Sequence, residues 1–217
     1  MSYLTSSIGR KQLMALTGLG LSGFVLTHMI GNLLIFAGPE KYNTYSHLLI
    51  SNPLIYVAEV GLVALFLVHV ATAIALTIEN KRSHGKRSYM TTSGAKGVSF
   101  ASKYMVHQGL ILLIFTILHL ISFKYGPDYR VTYEGIEMRD LHALVLEVFH
   151  KPTYVAWYVI CLILLGLHLS HGFASAFQSI GVYHPRYTVL LKRFSLFYAV
   201  VVAAGFIAPP VYIFFVR

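Results

Sequence analysis

The chain has 217 residues, 56 % of them hydrophobic and 12 % charged, which is too apolar for a soluble domain of this length. Its net charge of +9 does not read as a nucleic-acid patch, because the cations cluster at the ends of apolar segments, as they do in membrane proteins. The single cysteine, Cys161, excludes an internal disulfide, a cysteine-ligated iron–sulfur cluster and a covalently attached haem.

In chain order, residues 1–13 are polar and basic and read as a short surface helix. The first apolar segment covers about 14–36 and stops at Ala37-Gly38-Pro39; its length and the lack of a small-residue cleavage site mark a span rather than a cleaved signal. A loop at 38–53 carries Tyr42, Asn43, Tyr45 and His47 and ends at Asn52-Pro53. The second segment covers about 54–78, and a polar, basic loop follows at 79–103. The third covers about 104–124. The longest loop, 125–152, holds most of the acids, breaks at Gly126-Pro127 and has an amphipathic stretch at 138–150. The fourth segment covers about 153–178, and the loop at 181–193 contains His184-Pro185. The fifth covers about 194–216 and includes Pro209-Pro210, which should bend or end a regular helix.

Each segment reaches the roughly 20 residues a helix needs to cross a hydrocarbon core about 30 Å thick. The expectation is one all-α integral membrane domain over 1–217 with five transmembrane helices. With the N-terminus cytoplasmic, the inner side holds eleven cations against Glu79 alone, and the outer side six cations against seven acids. The positive-inside rule therefore puts the N-terminus inside and the C-terminus outside.

Four apolar segments carry one histidine near mid-depth: His28, His69, His119 and His168. Ionisable side chains within membrane spans are costly and mark function by default. A single one often just hydrogen-bonds a neighbouring helix. Four are harder to explain that way, because alternating helix direction places His28 and His119 in the outer half and His69 and His168 in the inner half. Spans one and two form a histidine-bearing hairpin that spans three and four repeat, and this predicts a four-helix core bundle with cofactors inside. The pairs His28/His119 and His69/His168 are expected to ligate two stacked b haems from both faces, with irons roughly 10–16 Å apart along the membrane normal.

Several other residues are candidates for the cofactor edges. His171, one turn inward of His168, either meets a propionate or serves as ligand in its place. His107, Arg10, Lys11, Lys103, Lys192 and Arg193 are inner-side candidates for propionate contacts. On the outer side, Asn32, Tyr45, His47 and Glu59 are candidates for a quinone site, with Glu59 suited to pass protons.

These segments resemble a known family, the single-chain dihaem cytochrome b anchors of succinate:quinone oxidoreductases and quinol:fumarate reductases. The matching residues are Ala15-Leu16-Thr17-Gly18, Thr27-His28-Met29, Val68-His69-Val70-Ala71, Leu118-His119-Leu120, Leu167-His168-Leu169-Ser170-His171-Gly172 and Gly181-Val182, in the same order over nearly the whole chain. The resemblance implies the same four axial ligands, an iron–sulfur subunit beside the inner haem, a flavoprotein (FAD) subunit beyond it, and a menaquinone site near the outer haem. One branch of the family has a glutamate two residues before the fourth ligand, where this chain has Gly166. The same branch has an acid late in the first loop, where this chain has only Glu40 near the start, so Glu59 or His47 would have to serve. Rival readings are the cytochrome b of a hydrogenase or formate dehydrogenase and a haem-free proton-coupled transporter. The His-x-x-His-Gly of the fourth span argues against the first, and the lack of a broken, polar helix pair argues against the second.

Overall fold

The computed structural model describes residues 6–84, 104–182 and 184–216. Helix α1 (Ser7–Leu33) begins where the Ser6 hydroxyl accepts the Gly9 N–H at 3.1 Å. It tightens into a 3₁₀ turn at Leu34–Ala37 and stops at Gly38, whose φ of +102° suits glycine. Pro39 then opens α2 (Pro39–Ser51) at a position where its missing N–H costs nothing. Helix α3 (Leu54–His84) returns across the bundle. Helix α4 (Met105–His119) runs out through a π turn at Leu120–Lys124. A hairpin of β1 (Arg130–Tyr133) and β2 (Ile136–Arg139) follows, and then α5 (Leu141–Phe149), capped by Asp140. Helices α6 (Pro152–Ser179) and α7 (Pro185–Val216) complete the chain.

Five stretches are long and apolar enough to cross a membrane: Ser7–Ala37, Leu54–Arg82, Met105–Lys124, Pro152–Ser179 and Arg186–Val216. Their surfaces agree with a lipid solvent. Val57, Val60, Leu67 and Ile74 on α3, and Val106, Leu110, Ile117 and Ile121 on α4, stand exposed in rows that water would penalise.

Helix α6 packs along α7, α1 packs against α3, α6 and α7, and α4 packs against α6. Without a hydrophobic drive inside lipid, such contacts depend on close backbone approach and on polar ties. Gly166 supplies one approach: a Cβ there would stand 3.1 Å from that of Ala203 on α7. The ties are Tyr198 Oη donating to the Ser22 carbonyl at 2.6 Å and Ser195 Oγ donating to the Ser170 carbonyl at 2.7 Å. Met29, Leu169, Tyr198, Ala199 and Val202 fill the junction of α1, α6 and α7.

Helices α2 and α5 and the hairpin cover one end of the bundle. Leu144, Val145, Val148 and Phe149 of α5 bury themselves against Ile35, Tyr42, Val155 and Ile213. Asn43, fully buried, fastens this layer: it donates to Asp140 Oδ1 at 2.8 Å and accepts the His142 N–H at 2.9 Å.

The structure departs from the sequence reading in several places. The chain is not wholly α: Glu134 and Gly135, at φ of 50° and 81°, make a tight turn that pairs Arg130 with Arg139 and Tyr133 with Ile136. The loop at 38–53 is mostly helix α2, and the N-terminal surface helix is the first turns of α1. Helix α7 starts at Pro185 rather than near 194. Pro209 and Pro210 do not end it: both are buried, and membrane helices tolerate proline where neighbours hold the chain. His142, in the loop that holds most of the acids, is buried beside Tyr42. The basic loop at 85–103 lies outside the described residues.

Asn43→Ala is expected to leave the Asp140 and His142 groups short of partners and to destabilise the fold by about 1–3 kcal/mol. Thermal unfolding in detergent measures this, and an unchanged midpoint contradicts the role given to Asn43.

Candidate functional site

Helices α1 and α4 run toward the loop-covered end, and α3 and α6 run away from it. The His28 and His119 rings meet between α1 and α4 with centroids 5.8 Å apart and planes at 87°. The His69 and His168 rings meet between α3 and α6 at 6.5 Å and 70°. Neither α1 with α4 nor α3 with α6 is a closely packed pair among the described residues. The histidines therefore reach toward each other across gaps between backbones.

Cross-helix contacts place the two pairs at different levels. His69 touches Thr17, eleven residues before His28, and His119 touches Tyr158, ten residues before His168. At 1.5 Å of rise per residue the levels are roughly 15 Å apart. The His28/His119 pair lies nearer the loop-covered end.

Each level has its own setting. Thr17 Oγ1 lies 3.1 Å from His69 Nδ1 and donates its proton to the Leu13 carbonyl at 2.8 Å. The hydroxyl can then only accept from the ring, so Nδ1 carries the hydrogen and Nε2 keeps its lone pair. Gly18 lets the ring lie flat on α1, since a Cβ there would stand 3.3 Å from His69 Cε1. At the other level Tyr158 Oη lies 3.1 Å from His119 Nδ1, so this nitrogen too has a hydroxyl partner on a packed neighbour. Aromatic rings enclose this pair: Phe24 stacks on His28 at 5.3 Å, Phe115 on His119 at 5.9 Å, and Phe206 of α7 lies 5.8 Å from His28.

The donor set decides what could bind. Among the described residues no three His, Cys, Asp or Glu side chains converge on one point, so each histidine pair offers two protein ligands. Two opposed imidazoles suit a metal whose other four ligands come from a macrocycle. With metal–nitrogen bonds of about 2.0–2.1 Å, such rings have centres about 6 Å apart, close to both observed separations. Edge-to-face rings also meet at that distance. The hydroxyl-held Nδ1 atoms are what a plain ring contact would not need, and they match the outer hydrogen bonds of metal-ligating histidines.

Comparison with protein-family models, curated proteins and solved structures finds no match.

The remaining candidates scatter. His168, not His171, faces His69; His171 Nε2 lies 3.1 Å from Ser175 Oγ, with Lys192 as its charged neighbour. His107 is on the exposed side of α4, 5.9 Å from Tyr104. Arg10 pairs with Glu79 at 3.5 Å, Arg193 is exposed, and Lys103 lies outside the described residues. Asn32 is engaged with the His28 carbonyl at 2.8 Å and with Tyr42 Oη at 3.3 Å. Tyr45 packs on Gly31, where a Cβ would come within 2.9 Å of its ring. Glu59 pairs with Lys124, tying the start of α3 to the π turn that follows α4. Lys124 and His47 line one cavity of about 360 Å³ with Arg130, Glu137 and Arg139.

Sequence reading gave no role to Tyr158 or Gln108 and knew Thr17 only as part of a motif. Their signal is spacing: each sits ten or eleven residues from a histidine of its own helix, level with the other pair.

Side-chain ¹⁵N spectra are expected to find His69 as the Nδ1–H tautomer, and Thr17→Val to shift that resonance while sparing His119. An Nε2–H form of His69 in the wild type contradicts the assignment.

Proposed function

We propose that this chain is the membrane anchor and electron conduit of a succinate dehydrogenase or fumarate reductase, carrying two b haems. The observation that supports this most is the pairing of four histidines, at two levels, across helices that do not pack on each other. His28 and His119 would hold the outer haem, and His69 and His168 the inner one. A haem iron with histidine on both faces exchanges single electrons and offers no open position for oxygen.

The protein's own residues orient the rings and keep water out. Thr17 and Tyr158 turn each Nε2 inward, Gly18 sets the depth of His69, and Phe24, Phe115 and Phe206 dry the outer level. The cation bias of the loops favours the N-terminus in the cytoplasm of a bacterial cell, the C-terminus outside, and the loop-covered end on the outer side of the inner membrane. Menaquinone would be handled at the loop-covered end, where Glu59 pairs with Lys124 and Lys124 shares a cavity with His47, with Asn32 and Tyr45 turned to internal contacts. An iron–sulfur subunit at the cytoplasmic end and a flavoprotein bearing FAD would carry the dicarboxylate chemistry. Gly166 leaves no room for the acid some relatives of this type place there, because it is closed against Ala203.

Purified from membranes in mild detergent, the chain is expected to bring with it a flavin-bearing and an iron–sulfur subunit, and succinate or a naphthoquinol should reduce its haems. Nickel or molybdenum in the preparation would instead identify a hydrogenase or formate dehydrogenase partner and overturn the assignment. His119→Ala and His69→Ala should each remove one haem and leave the other; loss of both or of neither contradicts the pairing.

A further inference from the structure

Gln108 is the one buried residue of α4, at 2 % exposure, in a helix whose apolar side chains largely face outward. Neither its amide nitrogen nor its amide oxygen has a partner. Buried polar atoms are nearly always paired, so an orphaned amide in a membrane span points to a contact it is placed to make.

The adjoining Gly109 lies under the His168 ring: a Cβ on Gly109 would stand 3.9 Å from His168 Cε1. Bonded to that carbon is His168 Nδ1, which is also buried and unpartnered. A ring nitrogen and an amide, both buried and both without a partner, thus sit on α6 and α4, two helices that pack together. The Nδ1 contacts of His69 and His119 show what is missing. His69 of α3 finds Thr17 on the packed neighbour α1, and His119 of α4 finds Tyr158 on the packed neighbour α6.

We propose that Gln108 is the positioning residue of His168: its Oε1 accepts the Nδ1–H and turns Nε2 toward His69. Rotation of the unbranched Gln108 side chain would make the bond, which satisfies His168 Nδ1 and the Gln108 amide oxygen at once. An acceptor on the far nitrogen raises the basicity of a ligating imidazole and steadies the more oxidised metal. This last consequence rests on the haem reading above.

The test uses the full chain with Gln108→Leu, which removes the acceptor, and Gln108→Glu, which keeps an oxygen at the same reach. The ¹⁵N resonance of His168 Nδ1 should move in Gln108→Leu and return toward the wild-type position in Gln108→Glu, while that of His119 stays fixed as a control for folding. An unmoved His168 resonance overturns the proposal. On the haem-loaded protein, Gln108→Leu should raise the potential of the His69/His168 centre alone. A tenfold weaker hold on ferric iron, the low end of the 10–100-fold effect of such contacts, corresponds to about 59 mV for one electron. Equal shifts at both centres, or none, overturn the role. A wild-type protein without haem would defeat the haem reading, and the nitrogen resonance would still decide the hydrogen bond.

Discussion

The structure is organised around keeping two pairs of imidazoles inside a membrane without leaving them unsupported. A histidine ring in hydrocarbon needs a partner for each nitrogen, because water is not there to serve. Here the Nδ1 of His69 and of His119 is held by a hydroxyl from an adjacent helix, and each ring meets its opposite edge to face. That arrangement sets the helix order. The helices that share a histidine pair must stand apart, and the helices that supply the hydroxyls must pack closely.

Helix α7 makes this frame possible although it has no histidine. It runs along α6 and across α1, and its tyrosine and serine hydroxyls bond to carbonyls on both. The Ser195 bond falls on Ser170, two residues from His168, and Phe206 reaches the His28 ring. A fifth helix therefore fixes the α1–α6 diagonal from outside, and the gaps on the other side of that diagonal stay open. Small residues perform the same task at closer range: Gly166 admits α7 and Gly18 admits the His69 ring. Each is a place where a side chain would push apart what must touch, or fill what must remain flat.

Much of this was legible in the sequence because membrane burial leaves a coarse signature. Apolar length located five spans, and alternation of direction assigned His28 to His119 and His69 to His168. The misreadings have local causes. The Glu134-Gly135 turn lies in a polar loop where the flanking four-residue strands are too short to show alternation. Helix α1 begins at Ser7 because Ser6 caps it, although Arg10 and Lys11 make its first turns look like a surface segment. A histidine in an acidic loop reads as solvated, but Asn43 and Tyr42 bury His142 from a distant part of the chain. The residues that hold the rings were hidden for a different reason. Thr17, Tyr158 and Gln108 are ordinary residues in apolar helices, and only the register between helices makes them neighbours of a histidine.

In the proposed function each of the two levels of opposed histidines holds one haem. Pyridine haemochrome analysis of the purified wild-type chain, with its low-temperature electron paramagnetic resonance spectrum, tests it most directly. The account predicts two non-covalent b haems per chain, both low-spin, with the strongly anisotropic signals that steeply crossed imidazole planes produce. A folded chain with no haem, or with a single high-spin haem, would contradict it.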